Sequence, residues 1–237
     1  MNNVVALIPA RGGSKAVYKK NIKLLDGVPL IEYSIRTAIQ NSNCDRVIVS
    51  TDDQEIAKIS KKAGAEVPFI RPASLAEDNT ADKPVIEHAL TWLEKHEKFK
   101  PDAILFLRPT TPFKTTQIID QCLDSFWQNN DTSSVRTVNK AEGVNHPYWM
   151  FKDEDGYLAP FVDGIKLSEY YQRQLLPSCY QLNGVVDVLK PEIVFGNKNM
   201  YGEQVRFVEI DAINAVDIDT QLDFNFAEFI LQKGTKY

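Results

Sequence analysis

Directly behind the apolar run VVALIPA, four cations fall within ten residues: Arg11, Lys15, Lys19 and Lys20, with Gly12, Gly13 and Ser14 among them. Adjacent glycines let backbone N–H groups approach a ligand closely, and fixed cations suit phosphate oxygens. Arg11 can bind an oxyanion bidentately, whereas Lys15 and Lys20 act as point charges. The spacing is neither the GxxxxGK[ST] phosphate loop, because lysine and hydroxyl come in the wrong order, nor the GxGxxG of dinucleotide folds. A solvated basic turn is the alternative. Its position straight after a buried strand favours an anion site spanning Ala10 to Asn21.

Near the other end of the chain, AINAVDIDTQLDF carries Asp217 and Asp219 two residues apart in an expected strand end. Period-two geometry places both carboxylates on one face, where like charges need a cation or a shifted pKa. Hard oxygen ligands with no Cys or clustered His nearby suit Mg2+ rather than zinc. The alternative is a helix cap at Asp219 and plain surface charge at Asp217. Taken together, the cationic turn would hold a polyphosphate and the acidic pair the magnesium that bridges it.

Other candidates are weaker. Arg71, opening RPASLAEDNT, can reach a base or a phosphate, or simply close a surface loop. Arg108 in LRPTTPF ends a strand and is held by Pro109 and Pro112. Arg173, Gln174 and Asn183 lie in the aromatic segment YYQRQLLPSCYQLNG and could line a sugar pocket or a subunit contact. His88, His96 and His146 have no partner pattern and read as structural.

These residues need elements to bring them together. VVALIPA, DRVIVST, AEVPFI and DAILFLRP read as short buried strands. Between them, helices are expected over PLIEYSIRTAI, from Asp53 to Ala63 with Gly64 as terminator, behind Asp82 as cap, and over TTQIIDQCLDSFW. This rhythm specifies an α/β fold with a doubly wound, mostly parallel, Rossmann-like sheet covered on both faces. Residues 140–182 are richer in Tyr, Pro and Gly and carry the hairpin signal DEDGYL, so they read as an inserted β-rich arm serving as lid or for self-association. Strands return at GVVDVLK, VRFVEI and AINAVDI. A helix closes the chain behind a capping box of Thr220 and Asp223. In such sheets ligands bind beyond the carboxyl ends of the strands, which gathers Arg11–Lys20, Arg71, Arg108 and the acidic pair into one site.

The 237 residues suit a single domain over 1–237, with an arm inserted in it. With 27 basic and 32 acidic residues the net charge is −5, so no global field attracts nucleic acid. Three scattered cysteines without a CxxC fit a reducing compartment. No apolar run is long enough to span a membrane, and the start lacks signal-peptide features, so a cytoplasmic protein is expected.

IPARGGSK followed by Lys20-Asn21, STDDQEIA, RPASLAEDNT, LRPTTPF, RQLLPSCYQLNG and DIDTQLDF occur in an order that resembles the acylneuraminate cytidylyltransferases, the CMP-sialic acid synthetase family, over essentially the whole chain. The resemblance implies an enzyme, a nucleotidyltransferase that joins CTP and a nine-carbon 2-keto sugar acid into a CMP-sugar with release of pyrophosphate, using Mg2+. It implies triphosphate and nucleoside contacts by Ala10, Arg11, Gly12, Gly13, Ser14, Lys15, Lys20 and Asn21. Arg71 and the stretch from Asp78 through Thr80 to Asp82 would sit near cytosine. Asp217 and Asp219 would hold the metal, and Arg108, Arg173, Gln174 and Asn183 would face the sugar or a partner subunit, the arm making a homodimer. Between Lys15 and Lys20 this chain carries AVYK where family members often have glycine and proline, which would let Tyr18 cover the ligand. Arg108 stands where sialic-acid enzymes often have glutamine, and NTADKPVIEHAL resembles the branch using legionaminic-type sugars. A CMP-Kdo type of enzyme, or another NTP-sugar nucleotidyltransferase, is the alternative.

Overall fold

Strand β1, Val4–Pro9, shows how the fold is layered, because its alternate residues feed two different cores. Val4, Ala6 and Ile8 pack with Ile31, Ile35, Ile119 and Leu123 on one side, while Val5 and Leu7 pack with Ile86, Ala89 and Leu93 on the other. A strand buried on both faces has to be apolar throughout, which is why VVALIP shows no alternation. The computed structural model describes residues 3–196 and 199–234, so the outermost residues of the expected 1–237 span lie outside it.

In chain order, β1 is followed by the short hairpin β2 (Leu24–Leu25) and β3 (Val28–Pro29), helix α1 (Leu30–Gln40), β4 (Arg46–Ser50) and α2 (Gln54–Lys62). Next come α3 (Asp82–Glu97), β5 (Ala103–Phe106), α4 (Thr116–Trp127), β6 (Ser134–Lys140), and the hairpin β7 (Phe151–Glu154) and β8 (Tyr157–Pro160). The long strand β9 (Tyr180–Leu189), α5 (Pro191–Gly196), β10 (Val205–Glu209) and α6 (Gln221–Lys233) complete the chain. The main sheet runs β10-β6-β9-β5-β1-β4. Strands β4, β1 and β5 are mutually parallel, β6 and β10 are parallel, and β9 alone runs antiparallel to its neighbours. The doubly wound α/β architecture is therefore the one the βα rhythm specifies.

Local chemistry sets the helix ends. The Asp53 carboxylate accepts the N–H groups of Glu55 and Ile56, and Gly64 takes φ +97° after α2. Thr115 caps α4, and Thr220 with Asp223 forms a complete capping box before α6. Asp82 does not cap α3. It is the first helical residue, behind Ala81, and its carboxylate is engaged by Arg108 instead.

Two expected strands do not form. AEVPFI makes a single bridge, Glu66 with Ile48, because Pro68 has no N–H to extend the ladder. AINAVDI turns twice, with Asn214 N–H on Asp211 O at 3.0 Å and Ala215 N–H on Ala212 O at 3.1 Å, before running extended through Asp219. The Asn214 side chain donates from Nδ2 to Phe113 O at 2.7 Å, which holds the turned segment against the loop before α4.

The segment between β6 and β9 contains one hairpin and four short 3₁₀ turns rather than a larger sheet. Its tip, Asp155-Gly156, has φ of 54° and 85°, the two left-handed residues that a tight hairpin requires. Strand β9 already begins at Tyr180, so the main sheet reaches inside the expected arm boundaries of 140–182.

Candidate functional site

Beyond the carboxyl ends of β1, β4 and β5 lies a cleft of about 960 Å³. Arg11, Ser14, Lys15, Lys20, Asn21, Arg71, Asp78, Thr80, Arg108 and Asp219 all line it. Lys20 joins the two ends of the chain, its Nζ donating to Ile218 O at 2.8 Å and to Asp219 Oδ1 at 3.1 Å. The cationic turn and the acidic segment, some two hundred positions apart in sequence, thus meet at the rim of one cavity.

The turn after β1 is supported from below. Asn21 is buried and donates from Nδ2 to Arg11 O at 2.9 Å. Gly12 N–H donates to Asp52 Oδ1 at 3.0 Å, and a Cβ on Gly12 would stand 2.8 Å from Asp53 Oδ2. Because Asp53 is tied to the first turn of α2, it cannot yield, so glycine is needed there. Gly13 meets nothing within 4 Å. Ala10 is buried at the end of β1, its N–H on Ser50 O at 2.9 Å. Sequence reasoning missed the role of Asp52 and Asp53, although a pair of aspartates opening a helix beside a glycine turn is a readable signal.

The cations face carboxylates. Asp78 receives both Arg11, at 2.9 Å, and Lys15, and these partners, Lys15 foremost, hold its carboxyl below the usual range. An entering phosphate would compete with Asp78 for them. Arg71 is only 4% exposed, is 3.7 Å from Asp52, and leaves its Nε–H without a partner. A buried donor of that kind costs free energy unless a ligand takes it up. Arg71 is therefore a buried wall of the cleft, not a surface arginine closing a loop.

Asp217 and Asp219 flank Ile218, which is fully buried and donates its N–H to Thr110 O at 2.9 Å. The alternation expected of a strand thus survives in an unpaired extended segment. Both carboxylates stay on the outer side, yet they serve different clefts. Asp219 borders the main one, and Asp217 borders a neighbouring hollow of about 220 Å³ with Asn139, Gln181 and Asn183. Desolvation raises the Asp217 carboxyl, a hydrogen bond with Thr110 works against this, and the charge of Asp219 adds to the rise. The chemistry of each carboxylate suits a hard divalent cation completed by water and substrate oxygens.

Other candidates fall elsewhere. Asn183 accepts from Thr137 Oγ1 at 2.6 Å and donates to Asn139 Oδ1 at 3.3 Å. Arg173 is exposed in the arm, paired with Glu142, and with Gln174 it lies apart from the main cleft. Tyr18 is 81% exposed and outside the cleft lining, so it does not cover the site. His146 is buried in the arm, its Nδ1 accepting Tyr148 N–H, which fits a structural role.

One group absent from the sequence expectations holds the loop between β5 and α4. The Lys114 ammonium is buried and donates to Ser34 Oγ at 2.8 Å, to Arg108 O at 2.9 Å and to Thr111 O. It fixes the backbone from which Arg108 and Thr110 face the cleft.

Comparison with known proteins adds a second line of support. The family model described as Cytidylyltransferase matches residues 5–235. A post-translational flagellin modification protein B of Campylobacter coli is 31% identical over 234 residues, covering 98% of this chain and 97% of that protein. A CMP-N,N'-diacetyllegionaminic acid synthase of Campylobacter jejuni is 31% identical over 232 residues, covering 98% and 96%. In fold, the chain is similar to a solved CMP:2-keto-3-deoxy-manno-octonic acid synthetase complexed with CTP. That pair has a TM-score of 0.70 at 14% identity, covering 98% of this chain and 99% of that one.

Proposed function

The chain belongs to the cytidylyltransferase family, and from that premise we propose that it activates a nine-carbon 2-keto sugar acid of the legionaminic or sialic type: CTP and the sugar acid give the CMP-sugar and pyrophosphate. The anomeric hydroxyl attacks the α-phosphorus in line. An O–P bond forms as the bond to the β-phosphate oxygen breaks, and the hydroxyl proton is released. The single observation carrying this proposal is the contact of Lys20 with Ile218 O and Asp219, which closes a cationic turn and an acidic segment around one nucleotide-sized cleft.

Arg11, Lys15 and Lys20 bind and orient the phosphates, and Arg11 and Lys20 also offset the charge that develops on the phosphoryl oxygens. Arg71, in the wall of the cleft, sets its charge toward the base or phosphate side. Asp217 and Asp219 would hold Mg2+, which when bound neutralises charge on the phosphates and the leaving group. Their all-oxygen character fits that ion, and no group of three or more His, Cys, Asp or Glu suited to a metal is found among the described residues. The protein works as a cytoplasmic homodimer joined through the arm. What supports the dimer is the run of exposed apolar side chains there; no described helix is long and apolar enough to cross a membrane.

Pyrophosphate release is the direct test, with CTP, Mg2+ and a panel of sialic, legionaminic, pseudaminic and Kdo acids. The expected outcome is turnover of one or more nine-carbon acids, with thermal stabilisation by CTP exceeding that by UTP, GTP or ATP. Stabilisation by another nucleotide alone, or turnover of Kdo alone, would replace this proposal.

A further inference from the structure

Arg108 borders the cleft, but both of its terminal nitrogens are already engaged by protein acceptors. Nη1 donates to Asp187 Oδ2 at 2.8 Å and to Gly184 O at 3.2 Å, and Nη2 donates to Asp82 Oδ2 at 2.6 Å. Burial opposes the charge on this guanidinium, but Asp187 and then Asp82 outweigh it and raise its pKa. Asp187 is fully buried on β9 and is shared with Arg136, whose Nε donates to Oδ1 at 3.0 Å. Asp82 begins α3, the helix that follows the Arg71–Thr80 wall. Gly184 has φ +64°, and a Cβ there would stand 3.1 Å from Arg108 Nη1. The Leu-Asn-Gly stretch therefore leaves space for this guanidinium and supplies it with a carbonyl.

We propose, resting on the cytidylyltransferase reaction above, that Arg108 is a positioning residue that ties the head of α3 to β9 and so fixes where the Arg71–Asp82 wall of the cleft stands relative to the central sheet. This departs from the sequence expectation of a sugar contact. A planar fork is suited to the task, because three acceptors on two separate elements, β9 and α3, are met by two nitrogens of one rigid group. A lysine has one nitrogen and cannot hold the same span. Misplacing reacting groups by about 1 Å can cost on the order of a hundredfold in rate. The Asp187–Arg136 pair keeps the base of the network when Arg108 or Asp82 is altered, whereas removing Asp187 would take the carboxylate from Arg136 and leave Arg108 with Asp82 alone.

The test compares wild type with Arg108→Gln, Arg108→Lys, Asp82→Asn and the double variant Arg108→Gln/Asp82→Asn. It reads the thermal shift with CTP and Mg2+, and kcat and KM for CTP and for the sugar acid that wild type turns over best. Arg108→Gln and Asp82→Asn are each expected to lower kcat/KM for CTP about ten- to a hundredfold and to shrink the CTP shift. The double variant is expected to lose no more than the worse single one, and Arg108→Lys to recover less than a tenth of the loss. A rise in sugar KM alone, with CTP binding intact and Asp82→Asn silent, would overturn the proposal in favour of direct sugar contact. Unchanged kinetics with a lowered Tm would overturn it in favour of a purely structural role. Should wild type neither bind CTP nor release pyrophosphate, the cytidylyltransferase assignment of this site fails, and this proposal with it.

Discussion

Gly12 and Gly13 look equivalent in sequence but differ in what surrounds them. A methyl group on Gly12 would press on the Asp53 carboxylate that caps α2, whereas one on Gly13 meets open space. Gly12→Ala is expected to weaken CTP binding at least tenfold and to cost about 1 kcal/mol through the disturbed cap, while Gly13→Ala leaves stability nearly unchanged. Titration with CTP and denaturant unfolding of both variants check this contrast. Across the cleft, Asp219→Ala is expected to lower magnesium-dependent turnover on the order of a hundredfold, the scale of one fixed charge in a preorganised site. The raised Asp217 carboxyl adds a pH dependence. If Asp217 holds the proposed Mg2+, protons compete with the metal for it, so the Mg2+ concentration giving half-maximal turnover should climb as pH falls toward that raised value. Asp217→Asn should remove this slope, and a Mg2+ titration at several pH values reads it directly.

At the scale of elements, legibility followed continuity of burial. Strands β1, β4 and β5 are buried along most or all of their length, and each left an uninterrupted apolar run that can be read without a partner. Single residues decided the failures: Pro68 stopped the ladder after Glu66, and Asp211 with Asn214 turned the chain before Asp217. The convergence of Arg11, Lys20, Arg71 and Asp219 was legible because strand ends in a doubly wound sheet share one side. Invisible were the partnerships: that Arg108 faces Asp187 and Asp82, and that Lys114 is buried under the loop it belongs to. Asp187 did leave a trace, a charge inside the apolar run VVDVL, which requires a partner when buried. Lys114 makes its own prediction. Burial pushes its pKa down to about 7, with Asp217 opposing and Arg108 adding to the effect. This lies below the ordinary lysine value of 10.5, so between the two the unfolded chain keeps a proton that the folded chain has released. Stability therefore rises with pH in that window, by at most about 1.4 kcal/mol per pH unit. Lys114→Met should lose this rise between pH 7 and 9 and, leaving carbonyls unpaired, start about 1–3 kcal/mol less stable at neutral pH. Denaturant midpoints for both proteins across that range give the comparison.

For the molecule as a whole, the uneven distribution of apolar surface is the informative feature. Strands β1, β4 and β5 bury their large side chains, yet Tyr157 and Leu158 of the arm are each 79% exposed, and Phe161 and Tyr171 each 63%. Several exposed apolar side chains within one segment mark an interaction surface. The hairpin β7–β8 has little of the core beneath it, since all four residues of β7 are exposed. The occupant proposed for this surface is the same face of a second chain, which would make an isologous contact. Leu158→Glu combined with Phe161→Glu sets like charges against each other across such a contact and leaves every residue of the main cleft in place. Wild type is expected to sediment as a dimer of 26.9 kDa chains and the double variant as a monomer. Because Arg11, Lys20, Arg71 and Asp219 come from one chain, the variant should keep its CTP-induced thermal shift. Its sugar turnover should fall, since Arg173 and Gln174 lie on the arm, apart from the main cleft of their own chain. A wild type that sediments as a monomer, or a monomeric variant with full turnover, would detach the arm from the reaction.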